Sequence, residues 1–476
     1  MALLISAAVA TLVACASTPQ ERVPAAAAPQ PAPPTGIVVF LVDDLGWRDV
    51  GFMGNSYLET PRADRLAAEG MVFTTAYADA PNCSPSRACL LTGLSPPHTG
   101  VYSAQPAEGG DSRRRKLVGV PIHRDLLPEL VTLPEVLQAA GWRTAMFGKW
   151  HLGGDPLKRG FDVARGVTPR AAGHGGHFSP YGIPGFPDGP PGEALADRLC
   201  DEALAFVRDC GDRPFFVHLA QYSVHTPIES RASLRQKYEE KSEGRGHTPP
   251  GYAGMVEELD ESFGRLLDGL EALGRARNTI VIFASDNGGR GGLSDLGGLR
   301  GGKGTLYEAG LRIPLAVRWP ERIAAGGRCD APVTLADLAP TLVAACGIEP
   351  PRNARFDGIS LLPAFTAAQP LPERDLFWHF PVYVKPDKRG APFRSKPCGA
   401  IRHGRYKLIE WFEDERLELF DLQADPGEAT DLSADRPEIA ADLLERMRAW
   451  RSRTGAPVPS EPNPDYVPNF APERDR

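Results

Sequence analysis

Two apolar runs in this chain end in acids. Gly36-Ile37-Val38-Val39-Phe40-Leu41-Val42 leads into Asp43-Asp44, and Thr279-Ile280-Val281-Ile282-Phe283-Ala284-Ser285 leads into Asp286-Asn287-Gly288-Gly289. Three carboxylates and an amide oxygen are hard donors, the set that Ca²⁺ or Mg²⁺ takes. Each cluster alone also fits a helix cap or turn, where Asp and Asn are favoured. Two such clusters behind two strand-like runs favour a metal. A third segment, Pro81-Asn82-Cys83-Ser84-Pro85-Ser86-Arg87, places a thiol just before a helix start at Ser84-Pro85, with Gly93 as the stop. A helix N-terminus presents unpaired N–H groups and positive potential, so an oxyanion would be held there. Arg87 lies one turn in, within reach of Cys83. The same Cys also fits a buried thiol near a cap.

These residues need a scaffold. The β-branched, continuously apolar run 36–42 reads as a strand buried on both faces, hence part of a parallel sheet. Thr279 to Ala284 reads the same way, and Phe215 to Leu219 and Leu315 to Trp319 are further strands. Helices fall between them. One starts at Thr60-Pro61 and stops at Gly70. Another opens on the capping box Thr132-Leu133-Pro134-Glu135, shows Val136, Leu137 and Ala140 on one face and ends at Gly141. A third, Glu257 to Leu273, carries Leu259, Phe263, Leu266, Leu267 and Leu270 at helical spacing. Alternating strands and helices imply an α/β sandwich. In such sheets sites form at the carboxyl ends of the strands, where both acidic clusters fall. Beyond about residue 345 the pattern changes. Ala400 to Arg402 and Tyr406 to Ile409, joined at His403-Gly404, read as antiparallel strands. Leu417 to Leu422 reads as another, and Pro437 to Trp450 as an amphipathic helix.

The 476 residues are 42% hydrophobic and 24% charged, ordinary for a globular protein. The 53 Lys and Arg against 60 Asp and Glu leave −7, which gives a nucleic-acid role no support. The 50 Gly and 47 Pro suit a protein built on structured loops. Ala2 to Ala14 is apolar, too short to span a membrane, and ends in Leu12-Val13-Ala14-Cys15, which resembles a bacterial lipobox. No Lys or Arg precedes it, and a buried helix is the other reading. The expected organisation is a signal segment over 1–15, a Pro/Ala-rich tether over 16–35, a catalytic domain over 36–345, a smaller subdomain over 346–455 and a Pro-rich tail over 456–476. The expected location is the periplasm or cell surface, with a lipid on Cys15 as the one membrane attachment. Six further cysteines allow free thiols or disulfides, Cys200 with Cys210 among them. No Cys-x-x-Cys pair suggests zinc.

Cys83-Ser84-Pro85-Ser86-Arg87 matches the Cys-x-Pro-x-Arg signature of type I sulfatases, in which the Cys is oxidised to formylglycine. Gly148-Lys149-Trp150-His151-Leu152-Gly153, Val224-His225-Thr226-Pro227, Ser285-Asp286-Asn287-Gly288-Gly289 and Gly301-Gly302-Lys303-Gly304-Thr305 with Tyr307-Glu308 resemble further signatures of that family, in its order. So do Tyr406-Lys407-Leu408-Ile409 and Leu419-Phe420-Asp421-Leu422 with Asp425-Pro426. Ala309 where Gly is commoner, and the stretch Pro96 to Gly100, are small departures. One signature alone is weak; several in order across most of the chain are not.

The resemblance implies an alkaline-phosphatase-like fold: a large central mixed sheet flanked by helices, with a smaller C-terminal antiparallel sheet and helix. It implies hydrolysis of sulfate esters, with a sulfated carbohydrate as the expected substrate, and a formylglycine-generating enzyme as a maturation partner. Asp43, Asp44, Asp286 and Asn287 would hold one Ca²⁺, with the Cys83 derivative in the shell. Arg87 would orient the aldehyde hydrate, and Lys149 and Lys303 would neutralise sulfate oxygens. His151 would serve as the base that releases sulfate, and His225 with Lys303 as the donor to the leaving alcohol. The rival readings are a phosphodiester or phosphonate monoester hydrolase of the same superfamily, and a non-catalytic lipoprotein that binds sulfated glycans. Weaker candidates are His174 and His177 as substrate contacts, Arg113 to Lys116 as a polysaccharide grip or a solvated loop, and His379 and Arg402 as pocket walls.

Overall fold

The computed structural model describes residues 33–168, 175–241, 244, 246–366, 370–386 and 393–470. The lipobox, most of the tether and His174 lie outside the described residues.

The strand Gly36–Val42 is buried along its whole length, as its unbroken apolar sequence requires. It lies between Phe215–Ala220 and Thr279–Ser285, parallel to both, with Gly36 opposite Phe215 on one side and Thr279 on the other. The eight-stranded sheet runs, edge to edge, 327–329, 71–73, 315–318, 279–285, 36–42, 215–220, 143–149, 163–168. Leu315–Arg318 is antiparallel to its neighbour 279–285, so the sheet is mixed.

Side-chain alternation along the first strand feeds two cores. Val38, Phe40 and Val42 join one face, packed by the helices Pro61–Glu69, Leu195–Cys210 and Pro250–Ala272. Ile37, Val39 and Leu41 join the other, packed by Cys83–Thr92, Leu133–Ala139 and Leu338–Ala345. The capping box at Thr132 and Glu135 forms as expected. On the first face Phe40 sits 4.6 Å from the Phe263 ring and 5.8 Å from the Phe283 ring. Each such burial contributes about 1.5–3 kcal/mol.

The second sheet is antiparallel, in the order Leu376–Phe380, Cys398–His403, Tyr406–Trp411, Arg416–Asp421, and the helix Pro437–Thr454 packs on it. The expected change of character at 345 comes later. Leu361, Ala364 and Phe365 still belong to the main core. The Pro-rich segment after 456 lies along residues 113–118: Val118 N donates to Glu461 O, Asn463 N to Lys116 O and Val467 N to Arg113 O. Cys200 and Cys210 are both free thiols, as are the other cysteines among the described residues. They lie ten residues apart on one helix, about 15 Å along its axis, too far for a disulfide. No helix of the described residues is long and apolar enough to cross a membrane.

A buried charge cluster ties the C-terminal sheet to the short helix Glu308–Leu311 and to Tyr77, which lies in a third, three-stranded sheet of 333–334, 76–77 and 312–313. Lys407 Nζ lies 3.0 Å from Glu308 Oε1 and 2.9 Å from Glu428 Oε1, and none of the three is more than 3% exposed. Tyr77 O–H donates to Glu308 Oε2 at 2.7 Å, and Glu308 N donates to Glu428 Oε2 at 2.7 Å. Removing one partner of a buried pair leaves an uncompensated charge, at a cost of about 3–5 kcal/mol. Lys407→Met is therefore expected to lower the urea midpoint strongly. Adding Glu308→Gln and Glu428→Gln should restore most of the loss. A single variant that unfolds at the wild-type midpoint would show that the cluster does not hold the sheets together.

Candidate active site

Four adjacent parallel strands end on one edge of the large sheet, and each delivers residues there. Strand 36–42 delivers Asp43 and Asp44, strand 279–285 Asp286 and Asn287, strand 143–149 Lys149 with His151 just beyond, and strand 215–220 His225 five residues on. Strand 143–149 must come close to strand 215–220 for this. At Gly148 (φ 88°) a Cβ would stand 2.0 Å from the Ala220 carbonyl oxygen, so only Gly fits. Asp44 and His151 also hold left-handed backbone, φ 65° and 58°, a conformation uncommon outside Gly that collects at functional positions.

Cys83 opens the helix Cys83–Thr92, one residue earlier than Ser84-Pro85 suggested, with Asn82 as cap. Its sulfur lies 3.4 Å from Asp43 Oδ1 and 3.7 Å from Asp44 Oδ1. Arg87, one turn on, donates from Nε to Asp286 Oδ2 at 2.9 Å and from Nη1 to the Lys149 carbonyl at 2.7 Å. Lys149 Nζ pairs with Asp43 Oδ2. Lys303 arrives on a separate loop whose ends are tied to the neighbouring segments: Lys303 N donates to Gly289 O and Gly304 N to Pro81 O, both 2.8 Å. Its Nζ lies 2.5 and 2.7 Å from the Asp44 oxygens and 3.3 Å from Cys83 Sγ. His225 Nε2 stands 3.8 Å from Asp44 Oδ2. Its Nδ1 donates to the Thr226 carbonyl at 2.8 Å, which fixes Nε2 as the nitrogen that faces the site.

Burial works against the charged form of every acid here, and the neighbouring cations oppose it with different results. Lys149, then His225, Arg87 and Lys303, hold the Asp43 carboxyl well below the usual range despite burial. At Asp44 burial is the largest single effect and Asp43 adds to it, yet Lys303, His225 and Lys149 together still lower the carboxyl. At Asp286 burial outweighs Arg87 and the carboxyl is raised. Burial pushes the Cys83 thiol up, against Lys149 and Lys303, so the unmodified sulfur is protonated and a poor nucleophile. Burial, then Lys149 and Arg87, hold His151 down at about 2. Its ring is neutral, and Nδ1 is buried with no partner among the described residues.

The cluster fits a hard cation. Donor atoms of Asp43, Asp44, Cys83 and Asp286 all lie within 4.8 Å of one another. Asn287 Nδ2 donates to Asp44 Oδ1 at 2.9 Å, while Asn287 Oδ1 is buried without a donor. An orphaned buried oxygen costs about 1–3 kcal/mol, and a cation would satisfy it. The charges agree: Asp43, Asp44 and Asp286 balance Arg87, Lys149 and Lys303, so a divalent ion would leave the pocket at +2, suited to an anionic substrate.

All ten residues singled out as catalytic or metal-binding thus meet in one cluster: Asp44, Cys83, His151, His225 and Lys303 line a cleft of about 690 Å³, and the other five are buried against them. Other expectations need correction. His379 is buried, bonds the Pro457 carbonyl and is absent from the cleft wall. Arg402 pairs with Tyr77 O–H at the junction of the sheets instead. Strand alternation puts the two on opposite faces of their sheet: His379 on the side of Phe377 and Trp450, Arg402 on the side of Trp378 and Tyr77. The C-terminal part does reach the cleft, through Tyr383 to Pro386 and Arg394. His177 lies behind the site, its Nε2 donating to the His225 carbonyl at 3.0 Å. Arg115 is spent on the carbonyls of Glu108 and Gly110. Arg290, which directly follows Gly288-Gly289, and Arg394 line the cleft without having been singled out; no motif marks Arg394.

Residues 35–348 match the sulfatase family, and residues 302–453 match the N-sulphoglucosamine sulphohydrolase C-terminal family. N-acetylgalactosamine-6-sulfatase of Mus musculus is 32% identical, over 94% of this chain and 92% of its own. A sulfatase of Formosa agariphila is also 32% identical, over 89% of each. The crystal structure of Ps i-CgsB in complex with k-i-k-neocarrahexaose has 28% identity and a TM-score of 0.72, covering 92% of this chain and 98% of that one. The chain belongs to the sulfatase family, whose members hydrolyse sulfate esters.

Proposed function

We propose that the protein hydrolyses a sulfate ester of a carbohydrate, using a formylglycine formed from Cys83 beside a Ca²⁺ held by Asp43, Asp44, Asp286 and Asn287. The observation that carries this is the setting of Cys83. A buried, protonated thiol sits 3.3 Å from Lys303 Nζ and within 3.7 Å of the Asp43 and Asp44 carboxylates, at the first turn of a helix whose Arg87 faces Asp43 and Asp286. A thiol nucleophile would want the reverse, a lowered pKa. A precursor that is chemically changed does not. The relatives named for a sugar sulfate and the neighbour that holds a neocarrahexaose support a carbohydrate substrate. The match to proteins named sulfatases over nine-tenths of the chain favours sulfate over a phosphodiester or phosphonate ester. The complete set of charged and proton-carrying groups favours catalysis over binding alone.

Ca²⁺ would polarise the sulfate and lower the pKa of a coordinated hydroxyl. The hydrated aldehyde supplies two hydroxyls on one carbon, one to displace the alcohol at sulfur and one to expel sulfate. The remaining roles belong to the chain. Lys149 and Lys303 face the position of the sulfate oxygens and offset their charge. Arg87 holds Asp286 and the first helical turn in place. His225, protonated at Nε2, donates to the departing alcohol. His151, kept neutral by burial and its cationic neighbours, takes the proton of the second hydroxyl. Export with a lipid at Cys15 is part of the same proposal, supported by the Leu12-Val13-Ala14-Cys15 sequence.

Peptide mass spectrometry of active native protein should find an aldehyde at position 83 and lipid at position 15. Full turnover with an intact Cys83 thiol would rule the mechanism out, and an unmodified Cys15 in membrane-free protein would rule out the anchor. Exhaustive chelation should remove most activity, and Ca²⁺ should restore it; metal-free protein at full rate would refute the cation. The two histidines should separate by leaving group. His225→Ala is expected to damage sugar-sulfate cleavage by about a hundredfold more than cleavage of an acidic phenol's sulfate, since a general acid matters in proportion to leaving-group basicity and contributes about 10²–10⁴-fold. His151→Ala should release one equivalent of alcohol in a burst and then stall. Equal losses on both substrates, with no burst, would overturn this assignment of acid and base.

A further inference from the structure

Asn82 directly precedes Cys83, one Cα–Cα step of about 3.8 Å away, and stands at the cap of the helix Cys83–Thr92. Its backbone is extended (φ −137°, ψ 155°), the setting in which an Asn side chain commonly turns back to accept from the first helical turn. Here it does not. The cap carries no side-chain hydrogen bond, and the carboxamide has no hydrogen-bond partner among the described residues. The backbone around it is fixed: Pro81 O accepts Gly304 N at 2.8 Å and Asn82 O accepts Ser86 N at 3.4 Å. Asn82 is half-buried and lines the cleft with Cys83 and Lys303.

A second carboxamide enters the same cleft from another loop. Gln105 is exposed, lines the cleft and has no side-chain hydrogen bond to a described residue. Its loop is tied down. Gln105 N donates to Oγ of the buried Ser103 at 3.1 Å. Tyr383 N donates to Ala107 O at 2.8 Å and Gly109 N to Tyr383 O at 3.1 Å. The approach is so close that a Cβ on Gly109 would stand 2.4 Å from that oxygen. Arg115 Nη1 donates to Glu108 O at 3.0 Å and to Gly110 O at 3.2 Å.

These two side chains differ in kind from the floor of the site. Arg87, Lys149 and Lys303 are each paired with a carboxylate and serve the charged end of the substrate. A carboxamide is neutral and offers two N–H donors and a carbonyl acceptor. A hydroxyl or an acetamido group also both donates and accepts, so either can exchange a pair of hydrogen bonds with it, whereas an ionised sulfate only accepts.

We propose that Asn82 and Gln105 are specificity-determining residues that hydrogen-bond a neutral donor–acceptor group, a hydroxyl or an acetamido, on the sugar that carries the cleaved ester. This rests on the sulfate-ester hydrolase reading above, with a sugar as the alcohol.

The test compares kcat/KM of the full-length enzyme on an N-acetylhexosamine monosulfate, the matching hexose monosulfate, its monodeoxy analogues, and phenyl sulfate, which carries neither group. Asn82→Ala and Gln105→Ala should each lower the ratio of sugar-sulfate to phenyl-sulfate kcat/KM by about three- to tenfold, the worth of one neutral hydrogen bond, mainly through KM. A ratio taken within one preparation is independent of how much of a variant is folded or carries a matured Cys83. The native enzyme should lose a similar factor on the analogue that lacks the contacted group, and the variant should no longer tell that analogue from its parent. A deoxy sugar in that role names a hydroxyl, and hexose in place of N-acetylhexosamine names an acetamido. An unchanged ratio in either variant overturns the role of that residue. Variants that tell the analogues apart as the native enzyme does, or sulfate release from phenyl sulfate alone, overturn the whole assignment while leaving sulfate-ester hydrolysis intact. Sulfate release from none of the substrates overturns both.

Discussion

Asp43, Asp44 and Asp286 are buried side by side, and that arrangement is unstable by itself. Each carboxylate loses its water, and each repels the other two. The rest of the site answers this problem. Arg87, Lys149 and Lys303 come from a helix, a strand end and a loop far apart in the chain, and each meets a different carboxylate. The compensation is therefore tertiary. It requires the sheet order to be correct, the helix Cys83–Thr92 to be seated, and the Lys303 loop to be tied to Gly289 and Pro81. A fold that closed in another register would strand charges of one sign in the interior, at several kcal/mol each. The same electrostatics make the site ready for a divalent ion and an anionic group.

The C-terminal sheet serves this arrangement at a distance. Lys407 reaches out of that sheet to Glu308, five residues beyond Lys303, and Glu428 closes the cluster. Only four residues, Gly304 to Tyr307, stand between Lys303 and Glu308, so fixing one end limits the other. The same sheet sends Tyr383 to Pro386 and Arg394 over the cleft. One small sheet thus steadies the loop below the substrate and builds the wall above it.

What was legible in the sequence was what short-range physics controls. The run 36–42 has no polar break, so it had to be a strand covered on both faces, and the acids after it had to lie at a sheet edge. The capping box at Thr132 is a local hydrogen-bond pattern and formed as written. The cluster of ten site residues was legible through signatures, since nothing in the spacing of Lys149, His151, His225 and Lys303 brings them together without the sheet order. Other features depend on distant partners. His379 and Arg402 stand in the right subdomain, but strand pairing turned them towards Pro457 and Tyr77. The tail after 456 had no periodicity because its partner is an irregular segment, 112–118, some 350 residues earlier, that opens with a single 3-10 turn. Arg394 lies against Gly304, a contact that no local pattern reveals. Cys200 and Cys210 looked close in sequence, and the helix between them set them apart.

The distance along the chain between Cys83 and the groups that enclose it also sets a time. Lys303 follows Cys83 by 220 residues. A ribosome adding about 5–20 residues per second needs roughly 10–45 s to cover that interval. For most of it Cys83 has been made but neither Asp286 nor Lys303 has, and until Lys303 is added the pocket that leaves the finished residue 5% exposed is incomplete. Any enzyme that must grip the backbone around Cys83 meets an open peptide in that window and a sealed one after it. The long reach of the fold therefore acts as a clock, holding open a period in which the residue can be worked on before the structure puts it beyond contact with another protein.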